Sequence, residues 1–165
     1  MDASKRLNYN AQSHSMETST YFTQQFEEIY QGDPWYGKSL RRVLNGVTPE
    51  VAFTRIQENE HTIAELVAHM ISWKQVLINR LGKNNEAKPK QKETFHTEAY
   101  GTSPGHAWKN LLQRLEDQHK QLLTALDETV GRLPKRMLYG VMQHDIYHLG
   151  QIAFLKKALT GSRYA

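Results

Sequence analysis

The most constraining feature of this chain is a single apolar seam near its C-terminal end. Met137, Val141, His144, His148, Ile152, Leu155 and Leu159 follow one another in steps of four, three, four, four, three and four. That is the repeat of one helix face turned toward a core. A strand would alternate every second residue, and no part of the chain does so convincingly. The seam also carries an anomaly. Two histidines stand where leucines would ordinarily sit, and a buried imidazole needs a hydrogen-bond partner or a metal.

Three further segments share the helical period. The first is expected from Glu17 to Gln31, with Phe22, Phe26 and Ile29 or Tyr30 on one face, stopped by Gly32-Asp33-Pro34. A short element bearing Trp35, Leu40, Val43 and Leu44 follows, and Thr48-Pro49-Glu50 reads as the cap of a brief helix. The second long helix opens on Thr62-Ile63-Ala64-Glu65, a capping box, and runs to about Leu81 with Ile63, Leu66, Val67, Met70, Trp73 and Leu77 apolar. Residues Lys83 to Thr102 are polar and without period, so they read as a surface loop, mobile or serving as a lid. Ser103-Pro104 starts a third helix that reaches about Thr129, its stripe being Trp108, Leu111, Leu115, Leu122 and Leu126. Gly131 and Pro134 separate it from the fourth, Lys135 to Leu159, which Gly161 closes. Four long helices in 165 residues predict an all-α four-helix bundle from residue 16 to 165, behind a polar N-terminal arm, residues 1–15.

Composition narrows the function. The chain has no cysteine, which removes disulfides, thiolate metal sites and a cysteine nucleophile. Its net charge of +4 is spread along the sequence rather than gathered on one face, so no nucleic-acid partner is expected. No run approaches the roughly 20 apolar residues of a membrane span, and the polar N-terminus is not a secretory signal. A soluble cytoplasmic protein with no membrane partner is the expectation.

His144 and His148 lie one turn apart on one helix face, so both rings can reach a single ion. Eight histidines in 165 residues would produce about 0.4 pairs at this spacing by chance, so the spacing alone is weak and the placement on the core stripe carries the weight. A tight site needs a third ligand. His69 and His119 both border apolar stripes, and position alone barely separates them. His14, His61, His96 and His106 fall in the arm, at a cap or in loops, where exposure is expected. Glu65 is one turn before His69, but the capping box already accounts for it. Asp145 and Gln151 flank the pair and could each hold a ligand imidazole by its second nitrogen, or be ordinary polar residues beside the seam. Gly140 and Gly150 lower helix stability and suggest close approach of another helix. Trp35, Trp73, Trp108 and Tyr147 could line a pocket, though core packing is the commoner use of aromatics at helical spacing.

The segment His144-Asp145-Ile146-Tyr147-His148-Leu149-Gly150-Gln151-Ile152 resembles the H-x-x-x-H-x-G-Q-I signature on the last helix of the DinB-like (DinB/YfiT) family of metalloproteins. Thr62 to Met70 resembles that family's second-helix motif, in which a histidine ends a run of the type S-I-x-E-L-V-x-H. Trp35-Tyr36-Gly37-Lys38-Ser39-Leu40 is similar to its opening W-x-G-x-S-L element. The resemblance spans about Thr20 to Leu159. It implies a mirror variant of the up-and-down four-helix bundle, often a homodimer, with a divalent metal, zinc or nickel, on His69, His144 and His148. It thereby selects His69 over His119.

Three protein ligands leave a coordination position open, the pattern of a catalytic site. Water or a thiol bound there would be ionised near neutral pH. The resemblance implies transfer of a low-molecular-weight thiol such as bacillithiol to an electrophilic small-molecule substrate. Metal-assisted hydrolysis and a non-enzymatic, stress-associated metal-binding role are the alternatives.

Overall fold

The computed structural model describes residues 18–58, 60–84, 90–129 and 133–161. The N-terminal arm and Gly131 lie outside the described residues. Among those described, the chain is helical and has no strand. Four long helices do the packing: α1 (18–30), α4 (Ile63–Leu81), α5 (Pro104–Glu128) and α6 (Lys135–Thr160). Two five-residue helices, α2 (Leu40–Leu44) and α3 (Pro49–Phe53), bridge α1 to α4.

Local chemistry sets the boundaries. The Glu65 N–H donates to Thr62 Oγ1 at 3.2 Å and the Thr62 N–H donates back to Glu65 Oε2 at 2.8 Å, completing the capping box. Thr48 Oγ1 accepts from the Val51 N–H, and Pro49 begins α3. The hydroxyl of Ser103, by contrast, makes no capping bond, so Pro104 alone marks the start of α5. Gly161 ends α6 at φ +65°, a left-handed turn that glycine adopts without strain.

The buried face of α6 is displaced by about one residue from the expected seam. Leu138, Val141, Met142, Asp145, His148, Leu149 and Ile152 are buried, whereas Met137, His144, Leu155 and Leu159 are only half-buried. Helices pack on stripes wider than one row of side chains, so a seam drawn through one row can sit on the edge of the true face. The same shift occurs on α4, where Lys74 is buried and Trp73 stands at the edge.

The core comes in two apolar halves. One joins Ile63 to Ile71 of α4 with Trp108, Leu111, Leu115, Leu149, Ile152 and the short helices. The other gathers Phe22, Phe26 and Ile29 with Leu77, Leu81, Leu122, Leu126, Leu138, Val141 and Met142. Between them runs a buried polar layer: Lys74 on α4, Gln118 and His119 on α5, Asp145 and His148 on α6. Lys74 Nζ and Asp145 form a buried ion pair across α4 and α6. Burial works against charge on Asp145, but the Lys74 ammonium, together with the neighbouring His144, outweighs it and holds the carboxyl below its usual range.

Candidate metal centre

The polar layer opens at one side onto three histidines. His69 comes from the second turn of α4, and His144 and His148 come from consecutive turns of α6. Their Nε2 atoms converge: His144 to His69 at 2.9 Å and His144 to His148 at 3.1 Å. His69 and His148 are buried, while the His144 side chain keeps 23% of its surface exposed.

The outer ring nitrogens reveal the tautomers, which follow from the hydrogen-bond network. His148 Nδ1 lies 2.6 Å from Gln151 Oε1, an amide oxygen that only accepts. His148 must therefore donate from Nδ1, and in the neutral ring its Nε2 carries a bare lone pair. His69 Nδ1 lies 2.6 Å from Thr94 Oγ1. Thr94 already donates its one hydroxyl hydrogen to the Gln91 carbonyl at 2.6 Å, so here it accepts, and His69 Nε2 is likewise a lone pair. His144 Nδ1 is buried without a hydrogen bond and faces Asp145 Oδ1 at 3.8 Å, itself without a hydrogen-bond partner. A hydrogen on His144 Nε2 could serve one neighbour but not both. Lone pairs aimed at one point repel unless a proton or a cation lies between them.

Protonation is the poorer remedy. Burial first, then the neighbouring His144 and His148, pushes the His69 imidazole down to about 3. Burial is also the largest cause lowering His148. Neutral imidazoles are the ligating form. Zinc–nitrogen bonds of about 2.0–2.1 Å in a tetrahedron would set nitrogens roughly 3.3 Å apart, close to the separations present. The three side chains could thus hold a divalent ion.

The stretch 83–102, expected as a surface loop that is mobile or serves as a lid, contributes to the site. Its described part forms 3-10 turns at Gln91–Phe95 and Glu98–Tyr100, and Thr94 is buried. The Phe95 ring lies flat between His69, at 4.0 Å and 6°, and His61, at 3.8 Å and 1°. Thr94, Phe95 and Lys74 were not foreseen. Lys74 had a legible signal, since it continues the Met70–Leu77 stripe by steps of four and three. An aperiodic loop offered none for Thr94.

The other candidates separate. His119 is buried elsewhere in the polar layer, on the α1 side, its Nε2 2.6 Å from Glu27 Oε2 and its ring stacked on Tyr30 at 4.0 Å. Glu65 is held by its capping box, as the sequence suggested, and also by Arg55, and it is not part of the converging group. His61, His96 and His106 are exposed, and His14 lies outside the described residues. Among the aromatics, Trp108 is core and donates to the Val47 carbonyl, Trp73 borders His69 and His144, Trp35 is fully exposed, and Tyr147 is largely exposed. The expectation that Gly140 and Gly150 admit a neighbouring helix is wrong. A Cβ at either would meet nothing within 4 Å. Both instead line surface cavities, Gly140 one beside His144 and Gly150 one beside Gln151.

Residues 37–152 match the family model of the DinB superfamily, well over half of the chain. The chain belongs to the DinB superfamily. No curated protein and no solved structure matches it. The matched span of this DinB-superfamily chain contains all three converging histidines and their partners Thr94, Asp145 and Gln151. None of its described helices is long and apolar enough to cross a membrane.

Proposed function

We propose that this protein is a divalent-metal enzyme in which His69, His144 and His148 are the ligands and a low-molecular-weight thiol, such as bacillithiol, is activated for transfer to an electrophilic small molecule. The observation that carries the reading is the convergence of Nε2 lone pairs whose rings are fixed from behind. Thr94 and Gln151 each accept from an Nδ1–H, which locks tautomer and ring orientation and raises ligand basicity. Three imidazoles leave room for a further ligand and suit zinc and nickel alike. When bound, the ion would supply Lewis acidity that ionises a thiol near neutral pH.

The chain's own residues would then orient the reactants and exclude water. Thr94 and Phe95 cover His69, so access runs along His144. The absence of cysteine fits a thiol brought from outside. A homodimer acting in the cytoplasm belongs to the same proposal, and the fully exposed Trp35 is the kind of side chain a second copy would cover.

The test uses protein purified without a nickel column and reconstituted with zinc or nickel. It is incubated with 1-chloro-2,4-dinitrobenzene, with and without bacillithiol. Turnover above the uncatalysed rate only with the thiol, and its loss in His144→Ala, is expected. Turnover without thiol would replace the reading by hydrolysis. No turnover across a panel of electrophiles would reduce the protein to a metal-binding one.

A further inference from the structure

His144 is the exposed member of the triad, and it faces a cavity of about 720 Å³. That volume lies within the range of small-molecule sites. Its wall combines an apolar side, Trp73, Met137 and Val141, with two guanidinium groups, Arg80 from the last turn of α4 and Arg136 from the first turn of α6. Among the described residues, no carboxylate lines it. An arginine fork beside an apolar wall matches a carboxylate in two-pronged fashion, and Arg136 offers one here.

Gly140 adds an independent observation. It sits in the interior of α6, one turn before His144, where glycine lowers helix stability relative to alanine. No backbone or side chain needs that closeness, because a Cβ there would meet nothing within 4 Å. What a larger residue would do is project into the cavity, since Gly140 is part of its lining. The glycine keeps that space open.

We propose that this cavity is the substrate pocket of the centre, and that it takes a small molecule with an apolar body and a carboxylate. The carboxylate sits with Arg136, the apolar body lies against Trp73 and Val141, and the reacting end reaches His144. This rests on reading the three histidines as the reactive centre, but the pocket's charge preference can be measured without metal.

The probe is 3-phenylpropionate, titrated into metal-free protein by ligand-observed NMR, with 3-phenylpropionamide as its neutral counterpart. The acid is expected to bind at least tenfold more tightly than the amide. Arg136→Gln should weaken the acid at least fivefold and leave the amide unchanged. Gly140→Leu, a change that favours the helix, should abolish binding of both by filling the cavity. Equal binding of acid and amide, or full affinity in Gly140→Leu, would overturn the pocket. Metal content is measured separately, on aliquots of each preparation reloaded with zinc and dialysed. Protein that holds metal yet treats acid and amide alike sinks the anion pocket and leaves the metal centre standing. Protein that prefers the acid but holds no metal keeps the pocket and removes the centre.

Discussion

Two buried histidine sites occupy the same polar layer, and they solve the burial of an imidazole in opposite ways. His119 on α5 presents an N–H to the Glu27 carboxylate at 2.6 Å and rests on Tyr30. Burial lowers its proton affinity, and Glu27, drawn below its own usual range despite partial burial, answers the ring with negative charge. Its Nε2 is answered within the protein, while His119 Nδ1 is buried without a hydrogen-bond partner. His69 and His148 present lone pairs toward His144 Nε2, and among the described residues no carboxylate stands among the three Nε2 atoms. Burial therefore does not separate a histidine paired within the protein from a candidate ligand. His119 is 3% exposed and His69 4%. The difference lies in what the inner nitrogen faces.

The two sites also differ in how they are held, and the largest effect tests that. His144 is backed by Asp145, which shares the buried pair with Lys74. Asp145→Ala should destabilise the protein by about 3–5 kcal/mol, because it leaves the Lys74 ammonium buried and uncompensated. Glu27 is 41% exposed at its side chain, and Glu27→Ala should cost about 1–2 kcal/mol. Urea unfolding of both variants measures the contrast, and equal losses would erase it. A second effect falls on metal affinity. Thr94→Val and Gln151→Ala should each weaken zinc binding about 10–100-fold in a chelator competition, with stability little changed. Glu27→Gln should leave zinc affinity as it is. A drop there as large as at Gln151 would make the two sites one network.

A third effect is the pH dependence of the metal-free protein. The unfolded chain protonates the His69 imidazole near 6.5, whereas the folded protein holds it down to about 3. Between those values the unfolded state binds the extra proton. Stability is thus intact above about pH 6.5 and falls as pH drops toward 3, at about 1.4 kcal/mol per pH unit for one proton. His69→Gln should flatten that slope, and His119→Gln should flatten it less. Thermal unfolding from pH 7 to pH 4 reads the difference.

Much of this was legible in the sequence where chemistry is local. The capping box of Thr62 and Glu65, the stripe from Trp108 to Leu126 and the terminal Gly161 depend on neighbours within a turn, and each formed as written. His144 and His148 were legible as a pair because four residues make one turn. The rest depends on partners far along the chain. Thr94 meets His69 across 25 residues and Lys74 meets Asp145 across 71, and no period encodes such encounters. The pairing of Lys74 with Asp145 was hidden for a further reason. Both lie on core stripes, but a charge on a stripe reads as its edge until its opposite is found on another helix. The choice between His69 and His119 was of the same kind, since their surroundings differ only once α1 and α6 are in position.

The direct test of the central claim is metal stoichiometry by elemental analysis, on protein purified without a metal column and dialysed against excess zinc. The wild type and His119→Ala should each retain about one zinc per chain, while His69→Ala, His144→Ala and His148→Ala should each fall to a small fraction of that. Zinc retained undiminished in His144→Ala, or lost equally in His119→Ala, would contradict the account.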